Sequence, residues 1–520
     1  MEKKREGFGS RTAVIFAMAG SAIGLGNIWR FPYMVGEHGG AVFVLIYIVA
    51  TILFSLPIFI AEVIIGRRSH SNARDAFVRL APGKPFWRYV SVLPIIIPTL
   101  IASYYSVIGG WSLEYFFKAC SLEFLNTAPE GASGLFSGFV STTWAPVLMH
   151  LAFFAVSAVI VVLGVKAGIE KFSKFILPVL FVLIVVIAVY SLSLPGSSDG
   201  VKYLFKPDFS EFTPRTFAYA LGQSFYSLSL GMGIIITYGS YVRRDENILV
   251  SSAGTAVSDL LFAMLAGLAI MPAVFAAGIE PGAGPGLIFQ SIPYIFSKMG
   301  AEAPVLSTIA AVLFFFTVIV AAMTSLISLI EVGTAFLIEK FNLKRGRAVG
   351  VMFLICGAAG TLCSLSFGPL KGLVVGGMNI FDIFDWTCSN ILLLIMAFLS
   401  VVFVGFVMKK SDVRDEFTNG GTKRRNTPLF NPCISSSSGL RPSRCCSYSS
   451  PISSFDAWPG TGAVSTAVSR LLWPWPVRPS ASATSGASRT WSGRTEVRLS
   501  SSYIFSRPFS SASPSSLPSR

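Results

Sequence analysis

The sequence predicts an all-α polytopic membrane protein, and two observations support that prediction. The first is composition: of 520 residues, 53% are hydrophobic and only 13% are charged, and the mean hydropathy is +0.66. A soluble domain carries charge on roughly a quarter of its residues. The composition therefore argues against a soluble enzyme, a disordered scaffold or a nucleic-acid binder.

The second observation is a series of apolar runs separated by short polar loops. A helix needs about 20 mostly apolar residues to cross a bilayer. We count ten such runs, at 11–37, 40–66, 86–117, 146–165, 172–194, 214–240, 249–277, 303–338, 347–367 and 376–408. The first run is too long for a cleavable signal peptide and lacks a small-residue cleavage site.

Lysine and arginine cluster on every second loop, and such clusters mark the cytoplasmic side of a membrane protein. The clusters are Lys3/Lys4/Arg5, Arg67/Arg68/Arg74/Arg79, Lys166/Lys171/Lys174, Arg243/Arg244, Lys340/Lys344/Arg345/Arg347 and Lys409/Lys410. The sequence thus predicts a multi-pass protein of the cell membrane with both ends of the ten-helix unit in the cytoplasm.

The chain divides into three parts of different composition. Residues 1–410 form the predicted transmembrane core, with one half at about 11–194 and the other at about 214–408, and 411–430 form a cytoplasmic loop. The tail, 431–520, is rich in Ser, Pro and Arg, contains no Lys, and carries roughly half of the net charge of +15. A shifted reading frame accounts for this abrupt change, and a genuine disordered tail is the alternative.

Paired glycines interrupt the first and sixth runs near mid-membrane, in GSAIGLGN at 20–27 and SLSLGMG at 227–233. Glycine disfavours a helix by about 1 kcal/mol relative to alanine. In lipid, the carbonyls that a break frees are tolerated only where they line a cavity or bind something. Because the two runs hold corresponding places in two five-helix halves, the pattern predicts an inverted repeat with a midplane binding site. Close packing through small residues is the alternative.

The segments GSAIGLGNIWRFP at 20–32, GQSFYSLSLGMG at 222–233 and AAMTSLISL at 321–329 resemble the first, sixth and eighth helices of the neurotransmitter:sodium symporter family. The resemblance covers about residues 5–430 and implies the leucine-transporter-like 5+5 inverted repeat with broken helices 1 and 6. Related carriers have at least one further helix after the tenth. The resemblance thus implies a chain that is C-terminally truncated or frameshifted.

The resemblance implies two bound Na⁺ ions. The first site would use the Ala22 carbonyl, Asn27, Ser227 and Asp259, where many relatives carry an amide in place of Asp259. A buried carboxylate is expensive in a membrane unless a cation compensates it. Its fixed charge predicts chloride-independent transport, since animal members bind chloride in that neighbourhood. A carboxylate bonded to hydroxyls such as Ser258 is the alternative.

The second Na⁺ site would combine the carbonyls of Gly20, Ile23 and Ala321 with the hydroxyls of Thr324 and Ser325. Such hydroxyls more often bond to their own helix backbone. Only the match to the eighth-helix motif favours sodium at this place.

The lack of an acidic residue at position 24 narrows the class of substrate. Gly24 stands where carriers of amines that lack a carboxylate have an aspartate, so the resemblance implies a substrate that brings its own. Tyr105 would hydrogen-bond that carboxylate, and a packing tyrosine is the alternative. Apolar walls fit a neutral, apolar or aromatic amino acid. The implied substrate-binding residues are Ala22, Gly24, Gly26, Ile101, Tyr105, Tyr226, Ser229, Met232, Ser325 and Leu329.

The resemblance also implies two gates. The residues are Arg30, Gln223 and Asp385 on the outer side, and Arg5, Ser240, Tyr241 and Glu339 on the inner side. Loop-end charges are usually only solvated, which is the alternative for Arg5 and Glu339. Glu62 and Glu331 lie within runs and should face protein or water. Gly168 and Pro178 bracket a stretch that either unwinds or is simply kinked by the proline.

The predicted function is a sodium-coupled secondary active symporter that takes up neutral, apolar or aromatic L-amino acids by alternating access. A transport-inactive amino-acid sensor or binding protein on the same fold is the alternative. An enzyme is not predicted, because no nucleophile and base constellation is apparent. The implied partners are a small amino acid, sodium ions and the lipid bilayer, without nucleic acid. The sequence makes no prediction of the oligomeric state.

Overall fold

Helices make up almost all of the regular structure in the computed structural model, which describes residues 11–127, 131–278, 281 and 287–422. Within these residues the only other pairing is an isolated bridge between Val375 and Met378. The predicted gate residue Arg5 and the predicted tail, 431–520, lie outside the described residues.

Each predicted run corresponds to a helix or a broken helix whose ends lie within four residues of the prediction, except that the fifth helix begins seven residues earlier. They are α1 (Arg11–Ala22, then Gly26–Arg30 and Phe31–Glu37), α2 (Ala41–Ser69), α3 (Pro85–Cys120), α4 (Trp144–Val162), α5 (Val165–Ser193), α6 (Pro214–Ser227 and Ile234–Gly239), α7 (Ile248–Ala276), α8 (Pro304–Phe341), α9 (Arg345–Leu365) and α10 (Ile380–Val407).

Eight of these helices are long and apolar enough to cross a membrane, and the two parts of α1, bent by 42°, count as a ninth. The two parts of α6 make the tenth element, although each is too short to span alone. The predicted all-helical, polytopic architecture is confirmed for the described part of the chain.

The predicted breaks in α1 and α6 are both present. In α1 the helix is interrupted between Ala22 and Gly26. In α6 the interruption contains three residues in the left-handed region, Ser229 (φ 55°), Gly231 (φ 73°) and Gly233 (φ 70°). Left-handed backbone is readily available only to glycine, so the two glycines explain why the chain turns here. Ser229 is the exception, and it holds a position inside the site described below.

Glycines also let α2 approach the second half of α6 closely. A methyl group built on Gly66 would lie 2.0 Å from the Ile236 carbonyl oxygen, and one built on Gly239 would lie 2.9 Å from the Val63 carbonyl oxygen. The two backbones therefore touch at two places, as helices do where small residues face each other in a membrane.

The predicted irregularity in α5 begins slightly earlier than Gly168. Gly164 has a φ of 95°, and a π-helical turn covers Val165–Glu170. Pro178 lies inside the regular helix Lys171–Ser193. The first turns of α5 are thus irregular, as the glycine suggests, while the structure does not test whether they unwind.

The Gly/Pro-rich loop before α8 is only partly described. It contains a π-helical turn, Leu287–Ser291, and a short helix, Ile292–Gly300. Phe289 is fully buried, with its ring 5.4 Å from that of Tyr115 and 5.7 Å from that of Trp111 on α3. This part of the loop packs onto α3.

A further helix, α11 (Lys410–Thr418), lies almost entirely inside the segment 411–430, which we predicted to be a cytoplasmic loop. Two residues with extended backbone, Met408 (ψ 148°) and Lys409 (ψ 132°), separate it from α10. The sequence analysis did not predict this helix.

The close contact at Gly66 yields a test of the fold. Gly66→Ala should destabilise the protein by about 1–3 kcal/mol, because a well-packed contact tolerates no added carbon, and the midpoint of thermal unfolding in detergent should fall. The matched control is Gly350→Ala in α9, where a methyl group would meet nothing within 4 Å. Equal midpoints for the two variants would contradict the packing.

Candidate functional site

The break in α1 redirects backbone hydrogen bonds to side chains. In a continuous helix the N–H groups of Gly24 and Leu25 would bond to carbonyls four residues earlier. Here Gly24 donates to Asn27 Oδ1 (3.2 Å) and Leu25 donates to the Tyr105 hydroxyl (3.0 Å). The carbonyl of Ser21, which loses its helical donor, instead accepts a hydrogen bond from another helix.

The break in α6 faces the break in α1. The Ser229 hydroxyl donates to the Ser21 carbonyl at 2.9 Å, and the Gly231 N–H donates to Glu62 Oε1 at 2.9 Å. Glu62 is fully buried and also accepts from Ser400 on α10 (3.1 Å). As predicted, this carboxylate faces protein, where it holds the interrupted backbone of α6.

The side chains predicted for the first sodium site lie together in one network. Asp259 accepts hydrogen bonds from Asn27 Nδ2 (2.8 Å) and from the Ser227 hydroxyl (2.8 and 2.9 Å to its two oxygens). Tyr47 also donates to Asp259, at 3.2 Å. The carboxylate is thus bonded to hydroxyls, as the alternative describes, although they belong to Ser227 and Tyr47 and not to Ser258.

The network is buried and has no cationic side chain. Asp259, Asn27 and Tyr47 are 0% exposed, and among the residues that the structure describes Asp259 forms no ion pair. A buried carboxylate that receives only neutral donors gains its charge compensation from a cation or loses its charge by protonation. Carboxylate, hydroxyl and amide oxygens are the kind of ligand that suits a hard cation such as Na⁺, although here Asn27 turns its amide nitrogen toward Asp259.

Three of the five groups predicted for the second sodium site converge. The Thr324 hydroxyl lies 3.0 Å from the Ile23 carbonyl oxygen and 2.8 Å from the Ala321 carbonyl oxygen. The Ser325 hydroxyl does not contact these oxygens and instead lies 3.4 Å from the Ser21 carbonyl oxygen. The remaining predicted residue, Gly20, packs against the Ser173 side chain of α5.

A cavity lies between the two breaks. Nine of the ten predicted substrate-binding residues line it, and the tenth, Gly24, lies behind Ser325. The lining residues are Ser21, Ala22, Gly26, Ile101, Tyr105, Tyr226, Ser227, Ser229, Met232, Ile234, Ser325 and Leu329. None of these is a lysine, arginine, histidine, aspartate or glutamate.

Gly24 leaves no room for a larger residue. A methyl group at this position would lie 1.9 Å from the Ser325 hydroxyl oxygen and 3.2 Å from the Tyr105 hydroxyl oxygen. Because Tyr105 accepts the Leu25 N–H through its oxygen, its own proton remains available to a second acceptor. The cavity therefore has one polar wall at Tyr105 and mostly apolar walls elsewhere.

Two of the three residues predicted for the outer gate, Arg30 and Gln223, contact each other directly. Arg30 is buried, donates to Gln223 Oε1 at 2.7 Å, and lies over the ring of Tyr226, 4.8 Å from its centroid. Gln223 in turn donates to the Gly26 carbonyl at 3.2 Å. Among the described residues Arg30 and Asp385 form no ion pair within 4.0 Å, because the guanidinium is engaged by Gln223 and Tyr226.

Three of the four predicted inner residues, Ser240, Tyr241 and Glu339, lie in the described part of the chain. Tyr241 donates to Glu331 Oε1 at 2.8 Å, and Arg345 of α9 forms a bidentate ion pair with the same carboxylate. Glu339 instead accepts from the backbone and the side chain of Asn72 (2.9 and 2.8 Å).

The third of these inner residues, Ser240, donates to the Thr237 carbonyl of its own helix. Glu331, which we expected only to face protein or water, is the acceptor that joins α6, α8 and α9.

Several site residues were not predicted. Tyr47 lies in an apolar run with no spacing signal, and Ser21 and Ile234 line the cavity beside predicted residues. Ser21 was within reach of the sequence analysis, since it lies directly inside the glycine-rich break. Tyr47 was not, because its contact with Asp259 joins residues 212 positions apart.

The model of the sodium:neurotransmitter symporter family matches residues 5–127 and 139–445 of this sequence. The chain belongs to that family. The match extends past residue 431, into the segment that we predicted to be a divergent tail. Members of the family are sodium-dependent secondary transporters and not enzymes, so this protein is a multi-pass membrane transporter of that class.

Individual relatives agree. The sodium-dependent transporter YhdH of Bacillus subtilis (strain 168) is 37% identical over 421 residues, which are 81% of this chain and 92% of the relative. A sodium-dependent transporter of Haemophilus influenzae is 34% identical over 417 residues, covering 78% of this chain and 90% of the relative.

A solved structure confirms the predicted leucine-transporter-like fold. The crystal structure of MhsT in complex with L-phenylalanine superposes with a TM-score of 0.77 at 39% identity, covering 83% of this transporter and 96% of MhsT.

The Asp259 network yields a test of sodium binding. Asp259→Asn removes the negative charge but keeps the shape, and it should raise the Na⁺ concentration needed for half-maximal thermal stabilisation at least about tenfold, since a midplane cation then lacks a counter-charge. Melting curves in NaCl and KCl series measure this. Asp199→Asn, at an exposed aspartate paired with Lys202, is the control. An unchanged Na⁺ dependence for Asp259→Asn would exclude the carboxylate from the site.

Proposed function

We propose that the transporter is a sodium-coupled symporter that takes up neutral, apolar or aromatic L-amino acids by alternating access. The observation that carries the proposal is the cavity at the two helix breaks, which combines the hydroxyls of Tyr105 and four serines with apolar side chains and has no side chain of fixed charge. MhsT, which has the same fold, was crystallised with L-phenylalanine.

The polar end of the cavity suits the carboxylate of an amino acid. Tyr105 has a hydroxyl proton to donate, and Gly26 opens the second half of α1, whose first N–H groups carry the positive end of a helix dipole. Gly24 supplies no competing carboxylate. An amino acid could thus place its own carboxylate near Ala22, beside the first group of sodium ligands.

The other walls suit an apolar side chain. Ile101, Met232, Ile234 and Leu329 contribute aliphatic or thioether surface, and Tyr226 contributes a ring. A charged side chain placed there would lose its hydration and gain no partner. Met232 is flexible and polarisable, so we propose that several apolar and aromatic amino acids are accepted.

Two sodium ions would couple binding to the gradient. The first would bind at Ala22, Asn27, Ser227 and Asp259, and the second at the convergent oxygens of α1 and α8. We list the proposed ligands of the second ion as Gly20, Ile23, Ala321, Thr324 and Ser325. Because the carbonyls belong to the broken segment of α1, ion binding would order the segment that also lines the substrate cavity.

Access would alternate between two closed layers around the cavity. The outer layer contains Arg30 and Gln223 above the ring of Tyr226, with Asp385 as the partner that would come closer on closure. The inner layer contains Tyr241 and Glu331. We propose that both ends of the ten-helix core, 1–410, lie in the cytoplasm, as the basic loops indicate.

The substrate class can be tested by binding all twenty amino acids to the purified protein, with and without Na⁺. Apolar and aromatic amino acids should bind in NaCl and not in KCl, and charged ones should not bind. Accumulation of the best ligand against its gradient in proteoliposomes with an inward Na⁺ gradient separates a symporter from a binding protein. If no amino acid binds in sodium, the proposal fails.

Chloride dependence tests the role of the fixed charge at Asp259. Uptake by the native protein should change less than about twofold when chloride is replaced by gluconate. Asp259→Asn should become dependent on chloride, because a bound anion can restore the missing negative charge beside the cation. A steep chloride dependence of the native protein would overturn this part of the proposal.

A further inference from the structure

Arg67, at the end of α2, is a buried arginine whose donors are nearly all used. Its side chain is 1% exposed. Nε donates to Glu416 Oε2 at 2.6 Å, Nη1 donates to the Glu246 carbonyl at 2.8 Å, and Nη2 donates to the Glu416 carbonyl and to Asn419 Oδ1, the latter at 3.0 Å. Because the guanidinium is planar and rigid, its N–H donors fix the positions of the groups that accept from them.

The partners of Arg67 come from two other segments. Glu416 and Asn419 belong to α11 and its end, while Glu246 lies in the loop that joins α6 to α7. Asn419 Nδ2 also donates to the Glu246 carbonyl at 2.8 Å, which closes the ring of contacts. One guanidinium therefore joins α2, the α6–α7 loop and α11.

Apolar contacts support the same junction. Val413 and Phe417 of α11 are 1% and 2% exposed, and α11 contacts α2 and α7. A buried ion pair contributes little net stability, because both charges are desolvated. This geometry therefore serves to fix the relative positions of the three segments and not mainly to stabilise the fold.

The contacts of this junction continue into the second half of α6. Gly66, beside Arg67, touches the backbone of the second half of α6 at Ile236. In the other direction, the extended residues Met408 and Lys409 leave α11 without a continuous helix to α10. By contact, α11 belongs with α2 and α7, although in sequence it follows α10.

We propose that Arg67 is a positioning residue for transport: it holds α11 on α2 and the α6–α7 loop so that these segments move as one body, with Met408 and Lys409 as the hinge to α10. The inference rests on the proposed alternating-access function. In this arrangement α11 is a working part of the inner half of the transporter.

The first test separates transport rate from binding. Arg67→Gln and Arg67→Lys should lower the maximal uptake rate about tenfold per folded molecule while Na⁺-dependent substrate affinity changes less than twofold. Lysine should not rescue, because it keeps the charge but lacks the fork. The control is Arg68→Gln, whose pairs with Asp412 and Asp415 are partly exposed and should matter little.

Three outcomes of this test would overturn the proposal. They are native rates for Arg67→Gln, rescue by lysine, and an equal loss of binding and rate. If the native protein itself fails to bind amino acids, the proposed function fails, and the second test still decides the role of Arg67.

The second test measures distances and needs no substrate. Spin labels at the exposed positions Arg414 (α11) and Arg244 (α6–α7 loop), in a chain whose cysteines are replaced by serine, should give a narrow distance distribution that is the same with and without Na⁺. Arg67→Gln should broaden it and Arg68→Gln should not. A sodium-dependent shift in the protein with Arg67 intact, or a narrow distribution in Arg67→Gln, would overturn the proposal.

A label pair at Arg414 and Arg347 (α9) tests the hinge. Because α9 contributes nothing to the Arg67 junction, this distance should change by several ångströms when Na⁺ is removed. A constant distance would show that α11 does not move relative to α9, and would overturn the proposed hinge.

Discussion

The requirement that backbone groups inside a membrane find hydrogen-bond partners governs the centre of this protein. Once α1 and α6 are interrupted, their free N–H and C=O groups must be satisfied by neighbouring helices. Tyr105 of α3, Thr324 of α8 and Glu62 of α2 do so. The broken segments are thus held by contacts from three surrounding helices, and the cavity lies where those contacts converge.

Buried charges mark the other fixed points of the structure, and they differ in how they are compensated. Arg67 and Glu331 each have an ion-pair partner, and each joins several segments near the ends of the helices. Asp259 receives only neutral donors among the described residues, deep among α1, α2, α6 and α7. Glu62 also receives only neutral donors among these residues, and it holds the broken backbone of α6. Asp259 differs because its partners are the side chains that we propose as ligands of the first sodium ion.

The sequence predicted what depends on local pattern and composition. Runs of apolar residues set the helix ends, paired glycines located both breaks, and the motifs around Asn27, Ser227 and Thr324 located the residues that meet. Partner choice across long sequence separations could not be predicted: Tyr241 bonds to Glu331, 90 positions away, which the sequence analysis expected only to face protein or water. Helix α11 was not predicted because its sequence is polar and resembles a loop. Its contact with Arg67 joins residues that are far apart in the sequence.

The fixed carboxylate at Asp259 affects the net charge that each transport cycle would move across the membrane. A chloride ion that travelled with sodium would cancel one positive charge on each cycle, whereas a carboxylate bonded to the chain stays behind. With a zwitterionic substrate, every sodium ion carried would then count fully against the membrane potential, which supplies about 2.3 kcal/mol per charge at 100 mV. One buried side chain would thereby set how much of the cell's voltage is available to concentrate the substrate.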